Sequence, residues 1–284
     1  MRSIIFGLAV AMLPWAAQAG ETVTYTVGEE QFEGYRAAAK DESKGSVLII
    51  HDWDGLTDYE MKRADMLAGL GYDAFALDLF GKGNRPAETA AKKKETGRLY
   101  DDRERMRTLI LAGLQEARKG GNAKAVAMGY CFGGAAVLEL ARSGKAEGIS
   151  GYVSFHGGLA TPQGQTYPSS TPPILIAHGG ADASVSMEDV AALSKELESA
   201  GVPYEIQIYS GAPHGFTHFG SDRYQKRADE LSWERFWISS RRILLARRRR
   251  ASRYQRAWLA GFSSDLGLSD SALRPRPIMA RSGS

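Results

Sequence analysis

Apolar residues in this chain fall into two kinds of run. The stretch Ser46-Val47-Leu48-Ile49-Ile50-His51 is short and continuous, the pattern of a strand buried on both faces. Segments 72–79, 123–128, 149–155, 173–177 and 204–209 repeat it. Between these runs lie longer stretches of helical spacing. Segment 57–70 places Met61, Ala64, Met66 and Leu67 along one side and stops at Gly71. Segments 87–99 and 101–119 predict two more helices, closed by Gly120-Gly121. Further helices are predicted up to about Arg142, over 186–200 and over 221–237. Ser184 or Ser186 caps the second of these, with Glu188 early in its first turn. Near the start, 22–27 and 34–39 read as a hairpin of short strands. Strands alternating with helices predict an α/β fold, with a mostly parallel sheet flanked by helices on both faces. Loops leaving the carboxyl ends of such strands carry the active site.

The 284 residues are 43% hydrophobic, enough for a substantial core in one large or two small domains. Residues 1–19 stand apart. Arg2 precedes an apolar stretch too short to span a bilayer comfortably, and Ala17-Gln18-Ala19 is a small-residue cleavage pattern. A signal peptide cut before Gly20 is expected, hence an exported, periplasmic or secreted protein. No other segment reads as a membrane span.

Charge divides the chain again. Residues 238–284 hold 11 Arg and two Asp with no Lys or Glu, a net +9, whereas residues 20–237 carry −7. The run Arg247-Arg248-Arg249-Arg250 resembles a nucleic-acid or anionic-membrane patch, but its Ser- and Leu-rich surroundings do not. A frameshift near Trp237 in a GC-rich gene would produce this composition. The expected layout is a signal peptide over 1–19, a catalytic domain over 20–237, and an irregular tail over 238–284 with a helical patch over 243–259. No nucleic-acid partner is expected.

Cys131 is the only cysteine, so no internal disulfide is available to it. It sits in Gly129-Tyr130-Cys131-Phe132-Gly133-Gly134, between an apolar strand and a predicted helix. That is the setting of a nucleophile turn, in which glycines relieve the crowding around a strained central residue. A thiol nucleophile needs a base, and the base needs an orienting group. Downstream, His178-Gly179-Gly180-Ala181-Asp182 follows one predicted strand, and Ser210-Gly211-Ala212-Pro213-His214 follows the next. The order Cys131, Asp182, His214 is the nucleophile–acid–histidine order of hydrolases of this type. The start of the following helix is expected to favour the thiolate. The backbone N–H groups of Phe132 and Trp53 are the expected oxyanion donors. Asp52 and Asp54 flank Trp53 and are candidates for an acid or gate on the thiol. His51, His156 and His178 sit at strand ends as pocket or loop-holding residues. His214 and His218 are separated by Gly215 and Phe216, which favours a loop over a helical metal pair. No metal and no cofactor are expected.

These pieces together resemble the dienelactone hydrolase family. His51-Asp52-Trp53-Asp54-Gly55-Leu56 is similar to the family's segment after its first core strand, and Leu77-Asp78-Leu79-Phe80-Gly81 to its Asp-Leu-Tyr-Gly run. The likeness extends from about residue 30 to Phe236. It implies an α/β-hydrolase fold and a Cys131–His214–Asp182 triad, with ester or lactone hydrolysis through an acyl-enzyme. Asp52 takes the place of a family glutamate that controls the thiol. Family arginines that hold a substrate carboxylate fall near His218 here and, for the second, at Arg98 or Arg103. The alternative is an exported small-molecule-binding protein that keeps this fold without turnover.

Overall fold

The computed structural model describes residues 20–245. The expected signal peptide, the Arg247–Arg250 run and the rest of the tail lie outside the described residues. The fold is built on eight strands: β1 (Glu21–Val27), β2 (Glu30–Ala37), β3 (Ser46–Ile50), β4 (Asp73–Leu77), β5 (Ala125–Tyr130), β6 (Ile149–Phe155), β7 (Ile174–Gly179) and β8 (Tyr204–Tyr209). They form one sheet in the order β1-β2-β4-β3-β5-β6-β7-β8. β1 pairs antiparallel with β2, and β2 antiparallel with β4. Every other neighbouring pair is parallel. The apolar runs explain this layout. All five residues of β3 are buried, because helices cover both faces of the sheet at that point.

Six helices complete the body: α1 (Asp58–Gly69), α2 (Thr89–Asp101), α3 (Arg103–Arg118), α4 (Phe132–Ser143), α5 (Met187–Ala200) and α6 (Lys226–Leu245). Successive residues of β3 point to opposite faces and feed two cores. Leu48 and Ile50 pack with Met106, Ile110 and Val137 on the side of α3 and α4. Val47 and Ile49 pack with Tyr59, Leu67 and Phe236 on the side of α1 and α6. Local chemistry fixes the helix starts. Thr57 and Glu60 form a reciprocal capping box on α1, and Ser186 with Asp189 does the same on α5.

Three boundaries differ from the sequence expectation by four residues or more. β2 begins at Glu30, not residue 34, because the hairpin turns tightly at Gly28 and its first two residues, Glu30 and Gln31, are polar and exposed. α6 begins at Lys226, since residues 221–225 form turns closed by Tyr224 N–H to Ser221 O and Gln225 N–H to Phe216 O. It then runs through Leu245, past the compositional boundary at Trp237. Leu244 is buried against Gly45, so packing carries the helix through residues 238–242, expected to be irregular, into the start of the predicted patch.

A buried cation ties α1 to α6. Arg63, with its side chain 1% exposed, donates to the carboxylate of Asp229 and, at 3.0 Å, to the backbone oxygen of Thr217. Its guanidinium lies 4.2 Å from the ring centre of Phe219 and 4.9 Å from that of Trp233. Tyr59 extends the network, its hydroxyl 2.7 Å from Thr217 Oγ1. Removing one partner of a buried ion pair strands the other charge. Asp229→Ala is therefore expected to lose about 3–5 kcal/mol of stability, measurable as a lower urea midpoint at unchanged slope.

Candidate active site

Cys131 occupies the turn between β5 and α4 with φ 51° and ψ −112°, one of two positive-φ residues other than glycine among the described residues. Its N–H donates to Phe155 O at 3.0 Å. Neighbouring glycines permit the turn. A Cβ on Gly129 would lie 2.2 Å from Gly133 O, and one on Gly133 would lie 2.2 Å from Ile50 O. Both contacts are with backbone, which cannot swing aside. The turn thus wedges α4 against the end of β3 and projects the sulfur beyond the carboxyl edge of the sheet.

Two later strand ends deliver the remaining groups. Asp182 follows β7, and His214 follows β8. His214 Nε2 is 3.1 Å from Cys131 Sγ, and His214 Nδ1 is 2.9 Å from Asp182 Oδ2. Asp182 Oδ1 accepts from the amides of Ser184 at 2.8 Å and Val185 at 3.0 Å. Burial alone would raise the Asp182 carboxyl, but the His214 hydrogen bond and these amides outweigh it and hold its pKa below the usual value. An ionised Asp182 accepts, so Nδ1 carries the imidazole proton and Nε2 faces the thiol as an acceptor. His156 backs this ring, edge to face at 5.3 Å, with its own Nε2 2.8 Å from Thr217 Oγ1. Burial pushes the pKa values of His156 and His178 down, so both stay neutral beside His214.

The thiol departs from expectation. Burial first, then the proximity of Asp52, push its pKa up to about 12, against the lowering pull of the Phe132 amide. The resting sulfur is a protonated thiol, because desolvation outweighs the start of α4.

The loop after β3 supplies the carboxylates beside it. His51 is fully buried. Its Nε2 accepts from Leu79 N–H at 3.0 Å, so its Nδ1–H donates to Asp52 O at 2.6 Å. Burial, the hydrogen bond with Asp54 and the charge of Glu60 push the Asp52 carboxyl up to about 10. Asp54 moves the other way: burial opposes ionisation, but the Asp52 hydrogen bond and the Lys92 ammonium, 3.3 Å from Oδ2, lower its pKa. The pair therefore shares one proton, carried by Asp52. Glu60 lies beneath, accepting from Asp52 N–H at 3.4 Å and Thr57 N–H at 2.9 Å. His218 completes the group, its ring stacked on Tyr59 at 4.7 Å. Donor atoms of Asp52, Asp54 and His218 lie within 4.8 Å of one another, a spacing a divalent ion can bridge. Lys92 already pairs with Asp54 at 3.3 Å and competes for one of these three donors.

The other candidates are not brought to the thiol. Arg98 is 58% exposed and pairs with Glu95 at 3.1 Å. Arg103 pairs with the buried Glu139 at 2.9 Å and covers the ring of Tyr100. Sequence reasoning passed over Lys92, Glu60 and Tyr100. Lys92 sits in a Lys-Lys-Lys run that reads as an ordinary solvated helix face.

Asp52 is charged by the pH at which so elevated a thiol ionises. Replacing it removes that repulsion. Wild-type Cys131 is expected to be alkylated by iodoacetamide at rates still rising above pH 10, and Asp52→Asn is expected to move the inflection to lower pH.

Among proteins of known sequence, the carboxymethylenebutenolidase of Rhodococcus opacus is 27% identical over 198 residues, covering 64% of this chain and 74% of its own. The human carboxymethylenebutenolidase homolog is 27% identical over 203 residues, covering 66% and 77%. Among solved structures, a dienelactone hydrolase-like promiscuous phosphotriesterase from metagenomic libraries aligns with TM-score 0.71 and 27% identity, over 79% of this chain and 98% of its own. A dienelactone hydrolase from Klebsiella pneumoniae, so described provisionally, aligns with TM-score 0.64 at 20% identity, over 80% and 98%, a likeness of fold. The sequence profile of the dienelactone hydrolase family matches residues 32–239, from the inward-facing Phe32 of β2 into α6. Sheet order, the turn at Cys131 and this match over most of the body agree: the chain belongs to the dienelactone hydrolase family.

Proposed function

We propose that this hydrolase cleaves carboxylic esters or lactones through a thioester on Cys131. The reading is carried by the continuous chain of contacts from Sγ to His214 Nε2 and from Nδ1 to Asp182. A protonated thiol is a poor nucleophile at rest. Deprotonation therefore accompanies attack: the S–H proton passes to His214 Nε2 as sulfur bonds to the acyl carbon. The imidazolium so formed is stabilised by ionised Asp182.

The carbonyl oxygen becomes an oxyanion and accepts from the N–H groups of Phe132 and Trp53. Collapse expels the alkoxide, which takes the proton from His214. In an ester the alcohol departs; in a lactone it stays tethered to the acyl group. Water, deprotonated by the now neutral His214, attacks the thioester. The acid leaves, and the imidazolium returns its proton to the sulfur. No cofactor enters these steps. Burial keeps the Cys131 thiol protonated at rest and opposes premature thiolate formation, which protects it from oxidation.

We also infer that the chain is exported, from the pattern ending at Ala17-Gln18-Ala19. A mature chain starting at Gly20 in the mass spectrum of expressed protein supports export; an intact Met1 start contradicts it.

Wild type, Cys131→Ala and His214→Ala are compared on a panel of activated esters and lactones. Losses of about a thousandfold or more in kcat are expected for both variants. Equal rates for wild type and Cys131→Ala would eliminate the thioester route.

A further inference from the structure

α2 touches both residues assigned to the oxyanion hole, one near each end. Lys92 Nζ is 3.3 Å from Asp54 Oδ2 and 5.3 Å from the ring centre of Trp53. Tyr100 meets the Phe132 ring edge to face at 5.3 Å. Lys92, Thr96 and Tyr100 are spaced by four, so one face of the helix spans the site. Lys92 is only 17% exposed, whereas its neighbours Lys93 and Lys94 are exposed.

Little else secures this helix. Its N-cap Glu88 makes no side-chain cap hydrogen bond, and its first two residues, Thr89 and Ala90, are exposed. Gly97 lies in its interior, and only Thr96 and Leu99 are buried. A helix so weakly held by its own sequence takes its position from tertiary contacts. Lys92 supplies two of them, both to the loop that carries the Trp53 amide.

We propose that Lys92 is a positioning residue: it latches α2 to the loop after β3 and sets the separation of the Trp53 and Phe132 amides. The ammonium pairs with Asp54 on one side and covers Trp53 on the other, so the backbone between them is fixed from outside the site. Tyr100 holds the Phe132 side from the same helix. The proposal rests on Trp53 and Phe132 being the oxyanion donors. Misplacing a donor by a fraction of an ångström costs rate in the chemical step more than ground-state binding.

The test uses the full chain with p-nitrophenyl acetate, and compares wild type, Lys92→Met, Lys92→Gln, Lys92→Arg and Lys94→Met, with Cys131→Ala as the control for thiol-dependent turnover. Lys92→Met is expected to lose about tenfold or more in kcat with KM little changed. Lys92→Gln carries the same expectation if the methionine variant does not fold. Lys92→Arg keeps the charge and the stacking and is expected to recover most of the loss. Lys94→Met should behave as wild type. Alkylation of Cys131 by iodoacetamide at fixed pH is expected to fall much less than kcat in Lys92→Met, since it needs no oxyanion donor and feels only the lost charge beside Asp54. Wild-type kcat in Lys92→Met would overturn the proposal. So would alkylation falling in step with kcat, which would assign Lys92 to the charge state of the thiol. If Cys131→Ala turned over as fast as wild type, the thioester route would fail instead, a result distinct from either.

Discussion

The chain reverses at Cys131 in a backbone conformation that side chains avoid, and the rest of the site depends on that bend. Holding a non-glycine residue there costs on the order of 1–3 kcal/mol. The surroundings leave no relaxed alternative. Gly133 packs against the backbone oxygens of Ile50 and His51, and Gly129 against Gly133 itself. The amide of Cys131 is committed to Phe155. Three parallel strands, β3, β5 and β6, thus converge on one turn. The sulfur is set where the loops after β7 and β8 can reach it.

A second constraint is electrostatic. Burial makes the thiol hard to ionise, and the Asp52–Asp54 pair beside it carries a net charge that Lys92 offsets at Asp54. The result is a sulfur kept protonated until a carbonyl carbon and His214 are both in place. His51, neutral and buried, fixes the same loop from inside through Leu79, while Lys92 holds it from outside. The loop after β3 is therefore braced on both sides, as an oxyanion donor requires.

Much of the fold was legible in the chain because two-sided burial leaves unbroken apolar runs. β6 and β8 coincide with the predicted segments, and Ser186, one of the two expected caps, begins α5. Family and fold class were legible for the same reason, together with the glycines about Cys131. Edges read less well. β2 opens on the exposed polar pair Glu30 and Gln31, and α6 is prolonged by the seat of Leu244 on Gly45, a contact distant in sequence. Arg98 and Arg103 lie close together in sequence, but the break at Asp102 puts them on different helices, one beside Glu95 at the surface and the other on Glu139. The state of the thiol was not legible at all. It depends on burial and on Asp52, Asp54, Glu60 and Lys92, which come from a loop and two different helices.

The thioester on Cys131 can be sought directly. Wild-type protein mixed with an activated acyl ester and quenched in acid within one turnover is expected to gain the mass of one acyl group, located by peptide mapping on the peptide containing Cys131. An unmodified mass at every quench time, with ester consumed meanwhile, would contradict covalent catalysis by this thiol.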